Sequence, residues 1–90
     1  MMYKLDFTVQ AKADIALHKK SNPAAYSKVE KLLGELRKHP RYGIGKPKPL
    51  SSNRAGQWSR RITDKHRLVY EIDDNKIIVL VLTAAGHYDD

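Results

Sequence analysis

Residues 56–71 constrain the fold more than any other stretch, because they have the composition of two strands joined by a short polar turn. Residues 58–63 and 67–72 are rich in β-branched and aromatic side chains, with Asp64 and Lys65 between them. This pattern predicts a β-hairpin. Successive side chains of a strand point to opposite faces. The first strand therefore has two faces, one with Ser59, Arg61 and Thr63 and the other with Trp58, Arg60 and Ile62.

The basic residues of the chain are concentrated around this hairpin. The formal net charge is +7, and residues 37–67 hold ten of the 17 Lys and Arg residues but a single acid, Asp64. Such a cluster favours a polyanion, nucleic acid first, or an acidic protein segment, although a solvated surface that keeps a protein soluble has the same composition. A strand face that carries Arg61, with Arg67 arriving from the second strand, requires an anion in front of it.

The whole chain predicts one α+β domain over residues 1–90, with two N-terminal helices packed on a small, mostly antiparallel, twisted sheet. The apolar run at residues 77–82 is predicted to be the middle strand, with helices over at least one face, because strands buried on both faces lack polar alternation. The predicted elements are a strand at 3–7, helices at 9–20 and 23–38, a loop at 40–56, strands at 57–63, 66–73 and 76–83, and a tail at 86–90.

Two lysines project from a stiff part of the predicted loop. Proline fixes its own φ and pushes the residue before it towards extended geometry. The segment Lys46-Pro47-Lys48-Pro49 is therefore extended, and Lys46 and Lys48, two residues apart, should point the same way. Leu50 follows them and is expected to anchor the segment in the core.

The sequence lacks the features of several protein classes. There is no Cys, and the four His residues are scattered without a pair at metal-ligand spacing, so we expect no disulfide, no metal site and no cofactor. No apolar run approaches the roughly 20 residues of a membrane span, and residues 1–6 lack an apolar signal region. We expect a cytoplasmic protein without membrane contact.

His87 and Tyr88 follow the last predicted strand and add residue types that metal-free RNA cleavage needs. Such cleavage requires a base for the 2′-OH proton, an acid for the leaving 5′-oxygen and cations for the charge on phosphorus. Histidine suits either proton role, and arginine matches phosphate geometry. The same residues have ordinary interpretations, with Trp58 in the core instead of stacked on a base and His87 in a frayed tail. Composition alone does not favour a ribonuclease over a module that only binds RNA.

Several motifs resemble one known family over about residues 40–88. The motifs are Gly45-Lys46-Pro47-Lys48-Pro49-Leu50, Asn53, Gly56, Trp58-Ser59-Arg60-Arg61-Ile62-Thr63, His66-Arg67-Leu68-Val69-Tyr70 and His87-Tyr88. In this combination they are similar to the YoeB/Txe toxins of the RelE superfamily.

The resemblance implies a RelE-like fold, related to microbial RNases, and the toxin of a type II toxin–antitoxin pair. Such toxins enter the ribosomal A site and cleave mRNA there by 2′-OH attack, without a metal. Their partner is a YefM/Phd-type antitoxin, through which alone they would contact operator DNA, and some of them form homodimers.

The same resemblance assigns roles by position. Arg61 and Arg67 would hold and stabilise the scissile phosphate. His87 would be the proton donor, and Tyr88 would orient the substrate. The further candidates for contact with RNA are Lys46, Ser51, Arg60 and Trp58.

Lys48 departs from the family pattern, in which a Glu, the proposed base, stands between the two prolines. Lys48 could itself be the base, since crowding by like charges favours the neutral form of a lysine. Alternatively, His87 takes the base role and Lys48 serves as acid or phosphate clamp. A third reading is a weakened toxin, natural or engineered, or a non-catalytic RNA- or ribosome-binding module neutralised by an antitoxin. We expect retained but altered endoribonuclease activity.

Overall fold

The computed structural model describes residues 2–50 and 56–86 and confirms the predicted α+β class. Two helices and five strands lie within these residues. In chain order they are β1 (Lys4–Phe7), α1 (Val9–Ser21), α2 (Pro23–Leu36), β2 (Lys48–Pro49), β3 (Gln57–Arg61), β4 (Arg67–Asp73) and β5 (Ile78–Thr83).

The strands form one sheet in the order β1-β5-β4-β3-β2. Strands β3, β4 and β5 are the antiparallel meander that the sequence predicts, and β2 adds to it antiparallel at one edge. Strand β1 pairs with β5 in parallel at the other edge. The apolar strand β5 is therefore interior, but the middle position predicted for it is occupied by β4.

Capping side chains fix where both helices begin. The hydroxyl of Thr8 accepts a hydrogen bond from the Ala11 amide at 3.0 Å and starts α1. The side-chain oxygen of Asn22 accepts one from the Ala25 amide at 3.2 Å, with Pro23 in the first turn, and starts α2. These residue types satisfy amides that have no partner within the helix. Helix α2 ends at Leu36, two residues before the predicted end.

The hydrophobic core lies between the helices and one face of the sheet. Val79 and Val81 of β5 point into it and are fully buried, whereas the alternate residues Ile78 and Leu80 are only half-buried on the other face. The helices thus cover one face and leave the other open. The core members from α2 and β4 are Ala25, Val29, Leu32, Leu36, Leu68 and Tyr70.

The predicted loop and hairpin turn differ from the structure. Residues 48–49 form the edge strand β2 inside the segment predicted to be a loop, because the Pro47 and Pro49 geometry that prevents a helix suits an extended edge. The hairpin turn is wider than two residues: the amides of Ile62 and Thr63 both donate to the His66 carbonyl, at 3.0 and 3.2 Å. Strand β3 consequently ends at Arg61.

Candidate active site

A basic pocket of about 120 Å³ lies on the open face of the sheet. Its lining comes from three parts of the chain: residues 46–48, which lead into β2, strand β3, and the start of β4. The lining residues are Lys46, Lys48, Ser59, Arg61 and Arg67. The structure therefore brings together four of the cations that the sequence singled out.

The sheet register places two arginines directly opposite each other. Arg61 at the end of β3 pairs with Arg67 at the start of β4. Like charges facing each other across strands destabilise a sheet, and in the described residues neither guanidinium is paired with a carboxylate. Arg67 instead donates from Nη1 to the Thr63 carbonyl at 3.1 Å. A bound phosphate would relieve this repulsion, since its oxygens match guanidinium donors.

The segment from Gly45 to Leu50, which we call the strap, carries the two lysines to this pocket. Its first end is fixed by the Arg61 amide, which donates to the Gly45 carbonyl at 2.6 Å. Its other end is fixed by the amide of buried Leu50, which donates to the Gln57 carbonyl at 2.9 Å. Between these points Lys48 pairs with Ser59 in the sheet register. Lys46 and Lys48 both line the pocket, as predicted, but Lys46 has a φ of +50° and is not extended as the proline pattern indicated.

Arg60 was assigned to RNA contact by charge, and the structure contradicts that assignment. Its side chain is fully buried on the helix side of β3, because strand alternation turns it away from Arg61. Its guanidinium donates to the Glu35 carboxylate of α2 at 2.5 Å and, through Nε, to the Tyr70 hydroxyl at 3.1 Å. It also donates to three loop carbonyls, those of His39, Tyr42 and Ile44.

Buried Arg60 has a structural role in the loop that leads into the strap. A buried guanidinium is tolerated only when an acid and several acceptors compensate for its lost hydration. Here Glu35 supplies the acid and also accepts a hydrogen bond from the Ile44 amide at 2.8 Å. Tyr70 completes the network by donating to the Pro40 carbonyl at 2.7 Å. Arg60 therefore fixes the loop just before Lys46.

Trp58 is also placed on the helix side of the sheet. It is partly buried and packs against the hydrophobic core, and it pairs with Tyr70 in the register of β3 and β4. Its ring lies on the opposite side of β3 from the pocket. Trp58 therefore packs against the core, as its alternative interpretation expected, and its contact with RNA stays a prediction.

A further cation of the basic segment is also neutralised. Arg41 donates to the Asp74 carboxylate at 2.6 Å, which holds the pKa of that carboxyl below its usual value, and the Tyr3 hydroxyl donates to the same group. The same hydrogen bond raises the pKa of Arg41. Buried Arg60 and exposed Arg41 thus show that part of the clustered positive charge is compensated by acids of the chain itself. Four other cations, Lys46, Lys48, Arg61 and Arg67, line the pocket together.

Three predicted site residues, Ser51, His87 and Tyr88, lie outside the residues that the structure describes. The chain before His87 is nevertheless placed. The Gly86 carbonyl accepts a hydrogen bond from the Arg67 amide at 2.9 Å. Residue 86 is therefore held at the strand start that supplies a pocket arginine.

Sequence reasoning missed two residues with clear structural roles. Ser59 is buried and lines the pocket, and strand alternation with Arg61 could have indicated it. Glu35 is the acid that pairs with buried Arg60, but no local pattern links residues 25 positions apart in sequence. In the described residues, no group of three His, Cys, Asp or Glu side chains could hold a metal ion, and no helix is long and apolar enough to cross a membrane.

Solved structures of bacterial toxins share this fold. The YoeB/ParE toxin from Agrobacterium tumefaciens has a TM-score of 0.89 at 33% identity, covering 94% of this chain and 99% of that one. The YoeB dimer and the YoeB–YefM complex from Staphylococcus aureus have TM-scores of 0.84 and 0.82 at 35% and 34% identity, each covering 98% of this chain and 100% of theirs. The fold and its basic pocket thus define a toxin of the YoeB/RelE class.

The sequence comparisons narrow this class to one family. Toxin YoeB from Mycobacterium bovis is 38% identical over 87 residues, which are 97% of this chain and 100% of that protein. Residues 7–88 match the family described as YoeB-like toxin of bacterial type II toxin–antitoxin system. The chain belongs to this family, as the motifs around the strap and the hairpin indicated.

Proposed function

We propose that this toxin is a ribosome-dependent endoribonuclease that cleaves mRNA in the ribosomal A site. The observation that carries the proposal is the pair Arg61 and Arg67, which face each other across two strands beside Lys46 and Lys48. Unpaired like charges at a strand register are costly. Such a cost is offset when a phosphate group sits between them.

The chemistry that fits this pocket is attack of a ribose 2′-OH on the adjacent phosphate. A base takes the 2′-OH proton, the bond from O2′ to phosphorus forms, and the bond to O5′ breaks. An acid then protonates the leaving O5′. In this proposal Arg61 and Arg67 stabilise the charge on phosphorus, a role for which fixed guanidinium donors are suited. His87 is the proton donor, and Tyr88 orients the substrate.

The partners follow from the toxin's family. The Staphylococcus aureus relatives were solved as a dimer and as a complex with YefM. We propose that this chain is likewise neutralised by an antitoxin of the YefM kind and forms a homodimer. Its place of action would be the cytoplasm, where ribosomes and mRNA are found.

A weakened toxin, or a module that only binds RNA or the ribosome, is the second candidate. It is favoured by one observation: Lys48 stands in the pocket where the resemblance leads one to expect a Glu base. The five described lining residues include no carboxylate. The two candidates therefore differ in whether a proton acceptor is still present.

Cleavage of mRNA on programmed ribosomes separates the two candidates. For the endoribonuclease, Arg61→Ala and His87→Ala should each lower the single-turnover rate by roughly 10²- to 10³-fold. His87→Ala should still bind ribosomes, because the arginines remain. Lys65→Ala is the matched control, since Lys65 is an exposed cation in the hairpin turn and does not line the pocket.

Ribosome binding without any cleavage by the wild-type chain would contradict the endoribonuclease. Cleavage that survives His87→Ala at the wild-type rate would contradict the assigned role of that residue. Binding that is insensitive to Arg61→Ala would contradict both candidates.

A further inference from the structure

Helix α1 buries polar side chains where a helix of this size usually buries apolar ones. Its buried residues are Ala11, Asp14 and His18. Burying a carboxylate and an imidazole is costly unless each makes good hydrogen bonds. The spacing of four residues puts Asp14 and His18 on the same side of the helix. That side faces the chain just after β5.

Both side chains bind the backbone of one residue, Ala84. The Ala84 amide donates to Oδ2 of Asp14 at 3.0 Å, and the Ala84 carbonyl accepts from Nε2 of His18 at 2.7 Å. Asp14 is itself oriented by Gln10, whose side-chain amide donates to Oδ1 at 2.8 Å. Ala84 is fully buried. Helix α1 therefore satisfies both backbone groups of the first residue after β5.

A second histidine holds the chain two residues later. The Gly86 amide donates to Nδ1 of His66 at 3.1 Å, while the Gly86 carbonyl accepts from the Arg67 amide. An acceptor at Nδ1 requires that His66 carry its proton on Nε2 when the ring is neutral. The rings of His18 and His66 meet edge to face, with centroids 4.9 Å apart. The two anchor points are thus in contact with each other.

We propose that Asp14, His18 and His66 are positioning residues that fix Ala84 and Gly86, the backbone that leads directly to His87. None of the three lines the pocket, so they act through the backbone and not on the substrate. The inference rests on the proposed function in one respect, namely that His87 takes part in cleavage. A misplacement of about 1 Å in a reacting group can cost roughly 100-fold in rate.

The polar composition of this helix face supports a positioning role. Apolar side chains at positions 14 and 18 could pack against Ala84, but they would leave its amide and carbonyl without partners. Directional hydrogen bonds fix the rotation of a backbone, which packing alone does only loosely. The three residues therefore set the direction in which the chain continues from residue 86.

The test uses His66→Leu and His66→Asn as a matched pair. Leucine removes the acceptor, whereas the side-chain oxygen of asparagine can occupy the position of Nδ1 and accept from the Gly86 amide. His66 is half-buried in the hairpin turn, and circular dichroism would verify that both variants fold. At the other anchor, His18→Leu and His18→Gln form the equivalent pair, because glutamine can donate from the position of Nε2.

Two kinds of readout are measured on the full chain. By NMR, His66→Leu should accelerate exchange of the Gly86 amide by about tenfold or more and raise backbone mobility at residue 87, and the ¹⁵N shifts of the wild-type ring should place its proton on Nε2. On saturating programmed ribosomes, His66→Leu should lower the cleavage rate by roughly 10- to 100-fold at unchanged half-saturating concentration. His66→Asn should restore both readouts to within about threefold of wild type.

The outcomes distinguish this inference from the proposed function. If the wild-type chain does not cleave, the function fails, and the NMR results alone decide whether the three residues fix the chain before His87. If Gly86 exchange and mobility at residue 87 are the same in wild type and His66→Leu, the inference is overturned. It is also overturned if His66→Leu mobilises residue 87 in an active toxin without slowing cleavage.

Discussion

At the scale of single residues, Arg60 and Arg61 show how neighbouring positions with the same side chain acquire opposite roles. Strand alternation separates them, and that alternation could be predicted from the sequence. What the sequence could not show is that Glu35 and a set of loop carbonyls surround Arg60. Those partners come from segments 16 to 25 residues away in sequence. The charge of Arg60 therefore suggested contact with a ligand, whereas in the fold its guanidinium binds Glu35 and backbone carbonyls.

Lys48 is the residue whose substitution most directly tests the altered pocket. We expect Lys48→Ala to lower the single-turnover cleavage rate by roughly 10²-fold, because it removes a cation and a proton-transfer group at once. Lys48→Glu should retain more activity than Lys48→Ala, since a carboxylate beside Arg61 and Arg67 can accept a proton. A pH–rate profile on programmed ribosomes measures both effects. Lys48→Ala acting at the full wild-type rate would contradict a role in catalysis, and a harmless wild type with a toxic Lys48→Glu would establish the weakened toxin.

At the scale of elements, the conformation of the strap depends on Gly45. From the sequence, this glycine indicated only a turn. Gly45 has a φ of +80°, and a β-carbon there would lie 2.9 Å from a methyl of Leu32 and 3.1 Å from the Arg61 carbonyl. Both the left-handed backbone and the close approach to β3 therefore require glycine. The strap can adopt its position beside β3 only because this residue has no side chain.

Gly45→Ala should therefore destabilise the fold by roughly 1–3 kcal/mol and also reduce cleavage, since it displaces Lys46. Gly34→Ala in α2 is a matched control, because a β-carbon there meets nothing within 4 Å. It should leave cleavage unchanged and stabilise the protein by up to about 1 kcal/mol. Urea unfolding of both variants gives the free energies of unfolding. Equal stabilities for the two variants would contradict the steric argument.

The elements themselves were largely predictable, and the exceptions have a common cause. Capping residues, proline positions and apolar periodicity indicated both helices and the meander. Strand β2 was missed because two residues contain no periodicity, and its pairing with β3 is a long-range contact. The wide hairpin turn was missed because it depends on hydrogen bonds from Ile62 and Thr63 to His66. Local patterns predict elements well and pairings poorly.

At the scale of the whole molecule, Tyr70 links the sheet to the loop that follows α2. Burial raises the pKa of its hydroxyl, against the opposing influence of Arg60. The folded state thus keeps this proton at a pH where the unfolded chain would lose it. The contribution of the Tyr70 hydroxyl to the free energy of unfolding is fully present below the ordinary tyrosine pKa of about 10. It is lost as the pH rises through the higher pKa that Tyr70 has in the folded state.

Urea unfolding between pH 8 and pH 11.5 should therefore show a loss of stability that is smaller in Tyr70→Phe. The variant should also be less stable by about 1–3 kcal/mol at neutral pH, because the Pro40 carbonyl and Nε of Arg60 lose a partner. Ultraviolet titration of tyrosinate, compared between wild type and variant, identifies the high-pH group. An unchanged alkaline slope in Tyr70→Phe would assign the loss to other residues.

The candidate site was predictable to the extent that it depends on alternation and on neighbouring strands. Arg61, Arg67, Lys46 and Lys48 converge because the hairpin and the strap are adjacent in sequence and in the sheet. The residues that hold the backbone near the site, such as Asp14 and His18, could not be predicted in the same way. Asp14 and His18 reach Ala84 across 70 and 66 residues, and only the folded arrangement shows that contact.

The parallel pairing of β1 with β5 also has a consequence for how this protein is made. Residues 4–7 pair with residues 78–81, which are synthesised more than 70 residues later. Pairing between segments so distant in sequence is slow and must await both partners. A nascent chain therefore lacks this edge of the sheet until residues 78–81 have been made. The finished fold, and with it any toxic activity, can appear only after β5 has left the ribosome.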